Sequence, residues 1–354
     1  MTNKPAPDKI ETLSLYRKYR PADWSEVRGQ EHVVKVLEGS VANGKIAHAY
    51  LFAGSRGTGK TSVARILAKA LGTSANDIYE MDAASNRGVD DIRELRESIL
   101  TLPFESKYKV YIIDEVHMLT KEAWAALLKT LEEPPAHAIF ILATTERAKV
   151  PDTIQSRSQV FEFKKPTPVM LEEMISEVAA KEGKTLPPES AHLISLLGDG
   201  SFRDTYSILQ KAISYSKDKK IDPEEVILVT GAPSNVLMRQ MLEGIEKRDI
   251  GLLSTTLREA EKNGADIMIF MKMLLNKLRT AMLMRYAVGE RKQIALDVGA
   301  DESEHLAKFE KGAGKTLNSA LLIELLEASL RINESPIKTL PIELAFIKAF
   351  GEEK

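Results

Sequence analysis

The stretch GSRGTGKT, Gly54–Thr61, constrains this chain more than any other. It matches G-x-x-x-x-G-K-[ST] at every fixed position, follows the apolar run AYLFA (Ala49–Ala53) and opens SVARILAKAL, which has helical apolar spacing. A glycine-rich turn between a buried strand and a helix lets backbone N–H groups point inward at phosphate, and the helix N-terminus adds a favourable dipole. Gly54, Ser55, Arg56, Gly57, Thr58 and Gly59 are the expected cradle. Lys60 places a point charge on the β- and γ-phosphates, and the Thr61 hydroxyl is a Mg²⁺ ligand. A second GAGKT, Gly312–Thr316, has Phe309 where the leading glycine belongs and follows the charged EHLAKFEK, so it reads as a loop.

Short apolar runs alternate with helical patterns from Leu13 to about Lys165. The candidate strands are Ala49–Ala53, Ile78–Met81, Val110–Ile113, Ile139–Ala143 and Val160–Phe163, with helices such as Thr61–Leu71 and Lys121–Leu131 between them. This alternation predicts a five-stranded parallel sheet covered on both faces. KKPTP (Lys164–Pro168) ends the pattern. Helices are predicted over Val169–Glu182, Pro188–Leu197, Phe202–Ser216 and Pro223–Val229, the last started by Asp222 and Pro223. After GAPSN (Gly231–Asn235) the chain reads as all-helical, its methionines as packing residues. The divisions are therefore a disordered tail over 1–12, a nucleotide-binding domain over 13–165, a helical lid over 166–231 and an all-α domain over 232–354.

Three further elements carry chemistry. KVYIIDEVHML delivers Asp114 and Glu115 to the end of a buried strand, where two adjacent acids are costly without a cation. Asp114 is placed to hold the Mg²⁺ water shell and Glu115 to orient or deprotonate an attacking water, while His117 reads as a packing or interface residue. AIFILATTE ends in Thr144 and Thr145. Successive strand residues face opposite ways, so one of them can sense phosphate or hold the water. The spacing to Arg157 favours Thr145, with a capped strand end as the plainer alternative. VPDTIQSRSQVFEF sets Arg157 between two serines with no obvious carboxylate partner in the local sequence, and GDGSFRD puts Arg203 near a helix start, able to close on the phosphates.

Composition removes whole classes. None of the 354 residues is a cysteine, which excludes disulfides and thiolate metal sites, and the six scattered histidines make a zinc site poor chemistry. A net charge of −2 argues against a constitutively sticky nucleic-acid binder. No apolar run is long enough to cross a membrane and no signal peptide opens the chain, so the expectation is cytoplasmic.

Together these motifs resemble AAA+ ATPases. LYRKYRPADWSEVRGQEHVV resembles the clamp-loader N-terminal box, while AHAYLFAGSRGTGKTSVARILAKAL, IDEVHMLTKEAWAALLKTLEEPP and FILATTERAKVPDTIQSR closely resemble the gamma/tau subunits of bacterial DNA polymerase III. The resemblance is continuous from about Leu13 to Gly231 and weaker through LPIELAFIKAF. It implies an AAA+ domain, a lid and a collar domain. It further implies an ATP hydrolase within an assembly whose overall reaction is nucleotidyl transfer, with ATP and Mg²⁺ as cofactors. Arg157 then matches the arginine finger offered to a neighbouring subunit's ATP, and Tyr19, Arg20 and Pro21 border the adenine. Ser85, Asn86 and Arg87 would contact DNA phosphates, weakened by the neighbouring Asp90 and Asp91, and Lys129 falls at a subunit boundary.

The implied partners are delta- and delta-prime-type subunits, further copies of the chain, the sliding clamp and primer-template DNA, with no membrane. ATP binding would let the ring open the clamp and grip DNA, and hydrolysis would release both. The family's four-cysteine zinc module has no counterpart here, so no zinc is expected, and the finger motif reads Ser-Arg-Ser. Segments beyond the collar that bind polymerase and helicase are expected to be missing. Two alternatives stay open. Another AAA+ DNA-remodelling ATPase, such as a branch-migration motor, is argued against by the helical C-terminal end. A non-hydrolysing structural loader subunit is argued against by the intact Lys60, Thr61, Asp114 and Glu115.

Overall fold

The computed structural model describes residues 14–291, 293–294 and 300–351; the tail read over 1–12 lies outside them. Five strands form one sheet: β1 Ala49–Ala53, β2 Ile78–Asp82, β3 Lys109–Asp114, β4 Ala138–Thr144 and β5 Gln159–Glu162. All pairings are parallel, in the order β2-β3-β4-β1-β5. The central strands are buried along nearly their whole length, which is why they read as unbroken apolar runs. The edges β2 and β5 are half-exposed. β5 lies one residue earlier than expected, although the Phe163 N–H still donates to the Ala53 carbonyl at 2.7 Å.

Side-chain alternation along the strands builds two apolar layers. Leu51, Tyr111, Ile113, Phe140 and Leu142 pack with helices α4 (Val89–Leu100) and α5 (Lys121–Glu132) on one face. Tyr50, Phe52, Val110, Ile112 and Ile141 pack with α2 (Glu31–Ala42) and α3 (Lys60–Ala70) on the other. Two short helices complete this part of the chain, α1 (Leu15–Lys18) at its start and α6 (Asp152–Gln155) before β5. The β1–α3, β3–α5 and β4–α6 connections all leave from the carboxyl ends of adjacent strands, where ligands of open α/β sheets bind.

Four more helices follow: α7 (Pro168–Lys181), α8 (Pro188–Gly198), α9 (Phe202–Tyr215) and α10 (Pro223–Thr230). Asp222 and Pro223 do start α10, with the Asp222 N–H donating to Glu225 Oε2 at 3.0 Å. By its contacts the chain forms two units, one running to Val178 together with Gly198–Gln210, the other Ala179–Leu197 together with Lys211 onward.

The second unit contains α11 (Asn235–Lys247), α12 (Ile250–Lys262), α13 (Ile267–Tyr286), α14 (Ala300–Ala313), α15 (Ser319–Arg331) and α16 (Leu340–Phe350). Met238, Met241, Met271, Met273 and Met284 are buried in its core. No strand occurs past Gly231 among the described residues. The GAGKT stretch is only partly a loop, since Gly312 and Ala313 still belong to α14 and the helix stops at Gly314, whose φ is 49°. None of the described helices is long and apolar enough to cross a membrane.

Candidate active site

The loop from Gly54 to Gly59 turns between β1 and α3 with left-handed backbone at Gly57 (φ 71°) and Gly59 (φ 100°), the latter capping α3. A Cβ on Gly57 would lie 2.0 Å from Ser201 Oγ, and the Phe202 N–H donates to the Gly57 carbonyl at 2.9 Å. The start of α9, which carries Arg203, is thereby fastened to the loop. Thr58 is buried, its hydroxyl donating to the Ser55 carbonyl at 2.9 Å. The buried Ser55 hydroxyl has no hydrogen-bond partner, and Arg56 points out to solvent.

Lys60 is 5% exposed and its ammonium donates to the carbonyls of Gly54 (2.7 Å) and Ser55 (2.9 Å). Burial, aided by Arg203, pushes this ammonium below the ordinary lysine value, while Glu115 and Asp114 oppose the shift. Arg20 is likewise lowered, by burial first and then by Arg65 and Arg203. Burial leads both shifts, and a polyanion bound beside these groups would offset that desolvation. The Arg203 guanidinium sits over the Tyr16 ring, 5.8 Å from its centre, and Tyr19 stacks on Tyr206 at 6.3 Å. Burial raises the Tyr206 hydroxyl to about 12. Tyr19, Arg20 and Pro21 are all half-buried.

At the end of β3, Thr61 Oγ1 donates to Asp114 Oδ2 at 2.7 Å. This hydroxyl and carboxylate are an all-oxygen donor pair that suits a Mg²⁺ ion keeping most of its waters. Among the described residues no three His, Cys, Asp or Glu side chains are grouped to hold a metal, and a Mg²⁺ site of this kind needs no such group. Glu115 takes a left-handed backbone (φ 47°), so the chain turns sharply as it leaves the strand. Glu115 Oε2 accepts from the Thr145 hydroxyl (2.9 Å) and N–H (3.3 Å). Thr145 therefore touches Glu115, and Thr144, fully buried, faces His117.

Arg157 and the DNA candidates lie outside this constellation. Arg157 has a partner within its own chain: Nη2 donates to Glu132 Oε1 at 2.9 Å and Nη1 to the Thr153 carbonyl at 2.9 Å. The local sequence does lack a carboxylate for it, and the one it finds sits at the end of α5, 25 residues earlier. Ser85 and Arg87 are exposed and Asn86 half-buried in the turn after β2, where Asn86 Nδ2 donates to the Asp82 carbonyl. Of the acids beside them, Asp91 accepts from the Gly88 N–H and Asp90 pairs with Arg93, each at 2.9 Å. Lys129 is exposed on α5.

One residue of the site escaped sequence reasoning. Gln30 is fully buried; its Nε2 donates to the carbonyls of Lys164 (2.7 Å) and Thr58 (3.4 Å), and its Oε1 accepts from the Lys164 N–H (3.1 Å). It ties the loop to the chain leaving β5. A lone glutamine before a helix carries no sequence signal for that.

The chain is similar in sequence to several known proteins. The family model described as DNA polymerase III, delta subunit, matches residues 29–88 and 72–167. DNA polymerase III subunit tau of Bacillus subtilis is 40% identical over 297 residues, covering 78% of this chain and 53% of that protein. DNA polymerase III subunit gamma/tau of Mycoplasma genitalium is 34% identical over 360 residues, 96% of this chain and 59% of that protein. The chain thus spans little more than half the length of these relatives. The Thermotoga maritima RuvB Holliday junction branch migration motor superposes with a TM-score of 0.52 at 23% identity, over 68% of this chain and 85% of that one, a likeness of fold.

Proposed function

The chain belongs to the DNA polymerase III gamma/tau family, and from that membership we propose that it is an ATPase subunit of the replicative clamp loader. The observation that carries the reading is the convergence of Lys60, the Thr61–Asp114 pair and the Glu115–Thr145 pair at the carboxyl ends of adjacent strands. ATP is the substrate. Lys60 exchanges the Gly54 and Ser55 carbonyls for phosphate oxygens, Arg203 closes from α9, and Tyr19, Arg20 and Pro21 border the adenine. Thr61 and Asp114 would hold Mg²⁺, whose charge neutralises the β- and γ-oxygens when bound. Glu115 orients the attacking water, and Thr145 fixes Glu115 through its hydroxyl. Arg157 serves the ATP of a neighbouring chain, an interaction that can be worth several orders of magnitude in rate.

The same reading supplies the partners: delta- and delta-prime-type subunits, further copies of this chain, the sliding clamp and primer-template DNA, in the cytoplasm. Ser85, Asn86 and Arg87 would touch DNA phosphates, a sequence-independent and salt-sensitive contact. Arg93, paired with Asp90, offsets part of the repulsion from Asp90 and Asp91. The chain would work as AAA+ domain, lid (166–231) and collar (232–354), contributing ATP hydrolysis to an enzyme whose overall chemistry is nucleotidyl transfer.

The deciding experiment measures ATPase rate in the assembled complex with clamp and primed DNA, for Arg157→Ala, Lys60→Ala and a mixture of the two chains. Each variant should be inactive alone and the mixture should recover activity. Wild-type turnover by Arg157→Ala would remove the finger from the mechanism.

A further inference from the structure

The buried imidazole beside the acid pair has no part in the scheme above. His117 lies in the short turn after Glu115, and its side chain is 6% exposed. Its Nδ1 is 2.9 Å from Thr144 Oγ1 and 3.5 Å from Glu115 Oε2. Its Nε2 is 3.4 Å from Glu146 Oε1. Thr144 Oγ1 also accepts from the Glu146 N–H at 3.0 Å. Both ring nitrogens therefore face oxygen, whereas a ring present only to fill space needs neither contact.

The arrangement also accounts for Thr144. A hydroxyl with no solvent exposure at the end of an apolar strand is costly unless it is hydrogen-bonded, and its partners here are the imidazole and the next turn's backbone. On the other side of the ring, Glu115 leaves β3 through a left-handed residue, which swings its side chain away from the strand's course. The carboxylate is then met by the Thr145 hydroxyl, the Thr145 N–H and the His117 edge, and all three fall on Oε2. The two hydrogen bonds from Thr145 hold Oε2, the imidazole edge bounds it at 3.5 Å, and Oε1 takes no part in these contacts.

We propose that His117 is a positioning residue for the hydrolytic step: held by Thr144, it sets the carboxylate of Glu115 through its Nδ1 edge. The inference rests on Glu115 as the residue that orients water. His117 touches neither nucleotide nor water in this scheme and acts only through Glu115. Loss of the ring's polar edge widens the range of Glu115 orientations and lowers the fraction aligned for attack.

Substitutions at His117 separate this from packing, because asparagine reproduces the position of Nδ1, glutamine that of Nε2, and phenylalanine the volume alone. Stimulated ATPase is measured in the full complex with clamp and primed DNA. His117→Phe and His117→Gln should lower kcat by about tenfold or more while leaving KM for ATP within about twofold, and His117→Asn should recover most of the loss. Thr144→Val should reproduce the kcat defect and Thr144→Ser should not, a check that stands even if His117→Phe fails to fold. Wild-type kcat in His117→Phe, or in Thr144→Val, overturns the proposal. Glu115→Gln is the separate control: full turnover there would remove the water-orienting role of Glu115 itself, and this inference with it.

Discussion

Arg157 is held at both ends of its guanidinium by its own chain, through Nη2 to Glu132 and Nη1 to the Thr153 carbonyl, each at 2.9 Å. The side chains are 37% and 44% exposed, so the ion pair itself adds only about 0–1 kcal/mol to stability. Its effect is directional, because a planar fork fixed at two corners presents its remaining N–H groups along one line.

Lysine cannot reproduce that geometry, because an ammonium is a single point of charge with no plane to fix. Arg157→Lys should lose clamp- and DNA-stimulated ATPase nearly as completely as Arg157→Ala. Glu132→Gln should shift the urea unfolding free energy by less than about 1 kcal/mol. Steady-state ATPase assays and denaturant titration check the two halves.

Gly57 occupies a position that the phosphate-loop pattern leaves free, yet the structure requires glycine there. A Cβ would stand 2.0 Å from Ser201 Oγ, at a φ of 71°. Gly57→Ala should cost about 1–3 kcal/mol of stability from backbone strain and weaken ATP binding. Adding Ser201→Gly should relieve the clash and return only part of the loss, since the strained φ remains. Urea denaturation and titration with a fluorescent ATP analogue measure both.

Gln30→Leu keeps most of the side-chain volume and deletes the three hydrogen bonds of a buried side chain, two of them to the chain leaving β5. The polar groups of Thr58 and Lys164 left behind should cost about 1–3 kcal/mol. Because Thr58 belongs to the phosphate loop, affinity for ATP should fall with stability, unlike in a remote core variant of equal stability loss.

Asp77 is buried beneath the loop that precedes β3. Burial alone would raise its carboxyl, but the N–H groups of Phe104, Glu105 and Ser106 outweigh it and hold the group well below the ordinary aspartate value. A depressed folded value stabilises the protein fully above the unfolded value of about 3.9, and that stability drains away as pH falls through the folded one. The stability gap between wild type and Asp77→Asn should therefore be constant from about pH 8 to 5 and shrink only below about pH 4. Urea midpoints across that range test it.

What the sequence revealed follows from the range of the forces involved. β1, β3 and β4 were legible because strands buried on both faces are apolar throughout, and the phosphate loop was legible because its chemistry fixes spacing along the chain. Apolar alternation puts edge strand β5 one residue late, because it marks Phe163 while the pairing with β1 ends at Glu162. Glu132, Gln30 and Ser201 left no local trace, because each acts on a segment brought beside it only by folding. The imidazole of His117 reads as packing for the same reason: its polar partners Thr144 and Glu146 come from the end of β4 and the turn beyond it.

Arg157 makes its hydrogen bonds to Glu132 and Thr153, away from the Lys60, Thr61, Asp114 and Glu115 cluster of its own chain. On the proposed head-to-tail arrangement, the surface that gives the arginine differs from the surface that receives one. Such contacts are heterologous and give an assembly a direction. In any row that does not close, the first chain offers an arginine that no site receives, or the last holds a nucleotide that no arginine reaches. Under that proposal the two end positions would differ in hydrolytic competence even with every chain in the row identical.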